Sequence, residues 1–103
     1  MANGQWGGQK TIRSELEVSA EVDAQCEVFP RLREAWDALE WILSRTAETL
    51  GIPSHQDGNL RLYVQADDAL ANVPAIWIVF RVGEEVEILA VNIVAPVSDE
   101  DED

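Results

Sequence analysis

Few side chains in this sequence are of the types that carry out catalysis, and none has a spacing typical of an active site. The only histidine is His55, in the segment PSHQDGN, and the only cysteine is Cys26. A metal site or an activated nucleophile needs a second ligand or a neighbouring base. We therefore expect Cys26 to be a small buried hydrophobe and His55 to serve neither as a ligand nor as a general base. We expect no metal and no cofactor.

Carboxylates are abundant, but their pairing carries no catalytic information in so acidic a chain. Asp67-Asp68 and Glu84-Glu85 are typical of a solvated loop and a turn. Gly4, Gly7 and Gly8 lie near the N-terminus and do not form a phosphate-binding loop between a strand and a helix. A catalytic triad is defined by its geometry and cannot be excluded from a sequence, so the question of enzymatic activity stays open. The residue types favour a role without catalysis.

The charge balance narrows the choice of partners. The 103 residues carry 20 acids against 7 bases, a net charge of −13. Nucleic-acid binding needs clustered Lys and Arg, and an anionic membrane surface would repel this chain. The balance favours a basic partner protein, or simple solubility at high salt or high protein concentration. A single cysteine and the absence of an apolar signal-like segment predict a cytoplasmic protein without membrane spans.

The length and the composition predict one domain with two polar ends. We expect residues 1–10, rich in Gly, Asn and Gln, to be flexible, with Trp6 either docked on the body or left free for a partner. Residues 11–97 form the domain. Residues 98–103, SDEDED, form an acidic disordered tail.

Residues 12–28 are compatible with two structures. Apolar and polar residues alternate strictly from Ile12 to Val28, which is typical of a strand. Seventeen residues is long for a strand, and Ser19 followed by Glu21 resembles a helix N-cap. We favour a strand at about 12–18 and a helix at about 20–28. One uninterrupted strand is the alternative.

Residues 30–50 have the clearest helical pattern. Leu32, Trp36, Leu39 and Leu43 belong to one apolar stripe that continues to residue 50. Gly51 fits the position after a helix C-cap. Trp41 lies off the stripe, so it is either an interface anchor or a residue covered by a loop or the N-terminal arm.

Three alternating runs follow, at residues 60–66, 75–82 and 86–94. In the last run, we expect Val86, Ile88 and Ala90 to lie on one face of the strand and Leu89, Val91 and Ile93 on the other. The last two runs are apolar on both faces, so we expect them in the middle of the sheet, or against another subunit. The predicted fold is α+β, an antiparallel sheet of about four strands in the order β-α-α-β-β-β, with the helices on one face.

The order of elements and one strand motif resemble the RelE/ParE toxin superfamily over roughly residues 12–94. The motif is Phe80-Arg81-Val82, the acidic turn Gly83-Glu84-Glu85, and then VEILAV at residues 86–91. Arg61 in LRLYV resembles a basic residue that family members often carry on the preceding strand. The resemblance implies a small α+β domain, the toxin component of a toxin–antitoxin module.

The chain departs from the ribonuclease members of that superfamily. Those enzymes hold RNA with several basic residues, whereas here the last strand ends in Asn92-Ile93-Val94 before the acidic tail. The resemblance therefore implies a member that acts by protein–protein contact, with a cognate antitoxin as partner. The expected contact residues are Trp41, Trp77, Arg81 and Arg61. The alternative is an acidic inhibitory protein, such as an immunity protein or nucleic-acid mimic, that binds a basic protein. An RNase is the least favoured hypothesis, and a homodimer is a further alternative.

Overall fold

The structure is a computed structural model that describes residues 10–96. The predictions for residues 1–9, including Trp6, and for the acidic tail lie outside this part of the chain. The described elements, in chain order, are β1 (Ile12–Ser14), α1 (Leu16–Cys26), α2 (Leu32–Thr46), β2 (Ile52–Pro53), β3 (Leu60–Gln65), β4 (Ala75–Val82) and β5 (Val86–Val94).

The fold is α+β, as the sequence predicts, but the sheet is mixed and has five strands rather than four antiparallel ones. Its strand order is β1-β5-β4-β3-β2. The pairs β2–β3, β3–β4 and β4–β5 are antiparallel, whereas β1 runs parallel to β5. The extra strand, β2, is only two residues long, too short for an alternating pattern to reveal it. Strand β4 occupies the middle of the sheet, as expected.

The alternating segment after β1 is a helix, so the prediction of one uninterrupted strand is wrong. Helix α1 begins at Leu16, and its N-cap residue is Glu15 rather than the expected Ser19. Val18 and Val22 lie one helical turn apart and are both buried, whereas Ala20 between them is exposed. A strand would place all three side chains on one face. Exposure of Ala20 therefore fits a helix and not a half-buried strand.

Helix α2 supplies most of the helical side of the core. Leu32, Trp36, Leu39 and Leu43 are buried along one stripe, as predicted. The helix ends at Thr46, earlier than expected, so Gly51 does not follow its C-cap. Gly51 instead adopts a φ of +78° in a turn that packs closely against the backbone of Leu62.

A bulge in β5 changes the expected phase of that strand. Phe80 of β4 lies opposite Ile88 and Val79 lies opposite Ala90, so Leu89 has no cross-strand partner. The extra residue brings Val91 and Ile93 onto the core side together with Val86 and Ile88. The prediction that Val86 and Ile88 lie on the opposite face of β5 from Val91 and Ile93 is therefore wrong, because strict alternation fails across a bulge.

Candidate functional site

The helices cover one face of the sheet, and no described element covers the centre of the other. Successive residues of a strand point to opposite faces. Ile76, Ile78 and Phe80 of β4 are buried in the core, so the residues between them point away from the helices. Trp77 is 43% exposed. The sheet therefore presents part of its central strand to solvent.

Cross-strand neighbours extend this apolar surface. Leu62 lies opposite Val79, and Val64 lies opposite Trp77; Ala90 of β5 lies on the other side of Val79. Leu62 and Val64 are 37% and 40% exposed. We call the surface formed by Leu62, Val64, Trp77, Val79 and Ala90 the open face. Exposed and contiguous apolar surface of this kind is typical of an interaction site.

Charged residues lie at the end of the open face nearest the β4–β5 turn. Arg81 follows Trp77 by four residues on β4, so it lies on the same face about 13 Å away. Its Nη2 atom is 3.8 Å from Oδ2 of Asp57. At the sheet edge, Arg13 donates a 3.1 Å hydrogen bond to Glu85, and this bond raises the pKa of Arg13. The open face thus has an apolar centre and a charged rim.

The structure brings together only two of the four residues that the sequence singles out for contact, Trp77 and Arg81. Arg61 pairs with the buried Phe80 and so points to the opposite face. Its guanidinium donates to the carbonyls of Leu50 at 2.7 Å and Gly51 at 3.2 Å. Arg61 therefore fixes the turn before β2, and it is held away from the open face.

Trp41 also lies far from Trp77. It is 60% exposed on the solvent side of α2, with the guanidinium carbon of Arg45 at 4.5 Å from its ring centroid. The sheet and the helix layer separate it from the open face. One partner segment of ordinary size would therefore meet only one of these two tryptophans.

Leu62 and Val64 were not predicted from the sequence to be surface residues. The residues of β3 that alternate with them, Arg61, Tyr63 and Gln65, lie on the core side: Tyr63 packs against the core, and Gln65 approaches the Ala35 carbonyl at 3.5 Å. The useful signal was the alternation itself, because β3 has a polar face and an apolar face. Arg61 and Gln65 reach backbone carbonyls of α2 and of the turn that follows it, and these contacts are not evident from β3 alone.

One half-buried ionisable group lies at the other side of the core. Trp36 is buried, and its Nε1 donates a 3.0 Å hydrogen bond to Oε2 of Glu40. Burial raises the pKa of Glu40, although the bond from Trp36 opposes that effect. This pair satisfies the buried indole and is suited to a structural role.

Every cationic side chain of the sequence has a partner within the described residues. Five form ion pairs with carboxylates: Lys10 with Glu48, Arg13 with Glu85, Arg31 with Glu34, Arg33 with Asp23 and Arg81 with Asp57. Arg61 donates to backbone carbonyls and Arg45 stacks on Trp41. The cations are therefore dispersed, and they form no cluster of the kind that holds phosphates.

The described residues contain no group of three or more His, Cys, Asp and Glu side chains that could hold a metal ion. None of the helices in this part of the chain is both long enough and apolar enough to cross a membrane. No family model, curated protein or solved structure matches the sequence.

Proposed function

We propose that this domain acts by binding another protein through the open face of its sheet. The observation that carries the proposal is the exposed apolar surface around Trp77 in the middle of the sheet. Tryptophan is enriched among residues that dominate binding energy, particularly near the centre of an interface with a polar rim. Arg81 supplies a charged group at that rim. Catalysis is not required by this arrangement.

Within this proposal, the domain is the toxin-like component of a toxin–antitoxin module, and it does not cleave RNA. The motif from Phe80 to Val91 supports the first part. The second part is supported by the net charge of −13 and by the engagement of every cation within the chain. An RNA strand would have to displace these ion pairs while it approached a strongly acidic surface.

The proposal is tested by expressing the domain in bacterial cells with and without the product of the adjacent gene. We expect growth to stop when the domain is expressed alone and to resume when the neighbour is co-expressed. Trp77→Ala should remove the effect on growth at an unchanged protein level. Growth unaffected by the wild-type domain, together with no association with the neighbour, would exclude the toxin-like role.

A second function is favoured by a different surface. The exposed side of α1 carries Glu17, Glu21 and Asp23, and the helix contains no basic residue. This acidic side supports the proposal of an inhibitory protein that binds a basic enzyme. Such binding weakens steeply with salt, because exposed charges are screened. Binding that is unchanged between low and high salt would rule it out.

A further inference from the structure

The outer edge of β5 is paired along only part of its length. Strand β1 pairs with residues 86–88, and the chain then leaves the sheet to begin α1 at Leu16. Residues 90–94 pair with β4 on one side and with no described strand on the other. This free edge is about 17 Å long.

The free edge presents backbone groups that can bind a further strand. Val86 has its side chain in the core, and its N–H donates a 2.9 Å hydrogen bond to the Thr11 carbonyl on the β1 side. In a strand of L-residues, the side-chain face and the direction of the backbone groups alternate together. Val91 and Ile93 also have their side chains on the core side, so their N–H and C=O groups point toward the free edge. None of them hydrogen-bonds to a described residue beyond the sheet.

A groove lies between α1 and residues 89–91, where this edge begins. Its volume is about 270 Å³, and it is lined by Glu17, Val18, Glu21, Leu89, Ala90 and Val91. We call it the edge groove. Glu17 and Glu21 lie one helical turn apart on its helix side, and Glu21 accepts a 3.1 Å hydrogen bond from Gln25. A strand placed here would alternate between these carboxylates and the open-face side of the sheet, where Ala90 lies.

We propose that the edge groove binds an extended segment of a partner protein in which basic and apolar residues alternate. The segment adds a strand to β5, with its Lys or Arg side chains toward Glu17 and Glu21 and its apolar side chains on the other face. The inference rests on the proposed function only in that the occupant belongs to a partner protein, and it uses a different surface. Strand addition of this kind takes its affinity from backbone hydrogen bonds and its specificity from alternate side chains.

Charge argues against a second copy of this chain as the occupant. Edge strands are usually protected by charged residues. Residues 88–96, ILAVNIVAP, carry none, so any repulsion between two copies comes from α1 beside the edge. Two copies paired through this edge would bring Glu17 and Glu21 of one copy near those of the other. Each copy also carries a net charge of −13. A basic segment removes this repulsion, which a second copy would increase.

The test uses the full-length protein and an end-capped peptide of four Lys-Val repeats. We expect amide NMR shifts and slower hydrogen exchange at Val91 and Ile93, with affinity that falls as salt rises. Two peptides serve as controls. Glu-Val repeats keep the alternation and reverse the charge, and Lys-Val repeats with every backbone nitrogen methylated keep the charge and cannot complete the strand pairing in either orientation. Neither should bind.

Matched protein variants distinguish peptide binding in the edge groove from attraction by the net charge of the protein. E17Q/E21Q should weaken the Lys-Val peptide about fivefold, the effect of two exposed ion pairs. E27Q/E84Q removes the same charge from positions outside the groove, and it should leave the affinity within about twofold. An equal loss in both double variants would show attraction by net charge alone and overturn the proposal.

Two other outcomes would also overturn it. One is the absence of shifts at Val91 and Ile93 with peptide on the order of 1 mM. The other is a dimer in light scattering with these amides protected in the absence of peptide, which would make a second copy the occupant. The product of the adjacent gene takes no part in this assay. Failure of the peptide therefore leaves the open-face proposal standing, and failure of the neighbour to associate leaves the peptide result intact.

Discussion

Trp77 lies directly opposite Val64 in the antiparallel register of β3 and β4, and both side chains lie on the sheet face that no described element covers. The residues on either side of Trp77 in β4, Ile76 and Ile78, are fully buried on the other face. The two faces of one strand therefore have different environments. One packs in the core, and the other is exposed to solvent.

This division predicts unequal effects of the same substitution at adjacent positions. Ile78→Thr should destabilise the domain by about 2–4 kcal/mol, because it loses core packing and buries a hydroxyl. Trp77→Thr should cost about 1 kcal/mol or less, the energy of a cross-strand contact. Urea unfolding of both variants measures the difference. Equal losses would show that the open face is covered in the free protein.

The bulge leads to a prediction about deletions. Removing Leu89 restores continuous pairing of β4 and β5 and leaves Val91 on the core side. We expect that deletion to cost less than about 2 kcal/mol. Removing Val91 instead brings Asn92, or Ala90 if the bulge is lost, opposite Ile78 on the core side, at a cost of more than about 2 kcal/mol.

Thermal unfolding of the two deletion variants, which have the same length, gives the comparison. A larger loss for the Leu89 deletion than for the Val91 deletion would contradict the assigned register. It would indicate that residues 90–94 have the opposite phase.

Gly51 is a position where the backbone requires glycine. Its φ is +78°, and a Cβ atom there would collide with the Leu62 carbonyl oxygen. We expect Gly51→Ala to destabilise the domain by about 2 kcal/mol or more, since the left-handed conformation and the collision add. Gly58→Ala is the matched control, because a Cβ at Gly58 would meet no atom within 4 Å. Chemical unfolding of both variants is the measurement, and equal stabilities would contradict the close approach of the turn to β3.

The raised pKa of Glu40 predicts that the free energy of unfolding depends on pH. Its pKa is raised above its ordinary value of 4.5, chiefly by burial. Within the window between that value and the raised pKa, the folded protein binds more protons at this site than the unfolded chain. The contribution of Glu40 to the free energy of unfolding is thus fully present below 4.5, and it is lost as pH rises through the raised pKa.

Glu40→Gln keeps an acceptor for the Trp36 indole and has no proton to lose. Relative to wild type, this variant should gain on the order of 0.5 kcal/mol between about pH 4 and pH 7, a small value because the group is partly screened by solvent. Glu84→Gln removes one charge from an exposed turn and serves as the control. Urea unfolding across this pH range tests the prediction. A parallel pH profile for the two variants would show that net charge, rather than burial of Glu40, sets the dependence.

The sequence predicted those features that depend on a long, regular pattern. The α2 stripe, the β3–β5 meander and the helices on one face all follow from periodicity. Three features depend on tertiary contacts and were not predictable in this way. Pairing of β1 with β5 joins residues more than 70 positions apart, the Leu89 bulge interrupts a regular alternation, and β2 is too short to show one.

The candidate site was only partly predictable for the same reason. Trp77 and Arg81 share a face because they lie four residues apart on one strand, and their spacing indicates this directly. Leu62 and Val64 join them only through the register of β3 against β4. Arg61 has the residue type of a contact residue, but the carbonyls of Leu50 and Gly51 bind its guanidinium, and that contact depends on the turn before β2.

We propose that the open face binds a partner protein. The most direct measurement is the mass, by light scattering, of the domain purified together with the product of the adjacent gene, for wild type, Trp77→Ala and Trp41→Ala. We predict a stable complex for wild type and for Trp41→Ala, and a loss of about 2 kcal/mol of binding free energy, or about thirtyfold in affinity, for Trp77→Ala. A complex that survives Trp77→Ala and dissociates with Trp41→Ala would contradict binding at the open face and place the interface on the solvent side of α2.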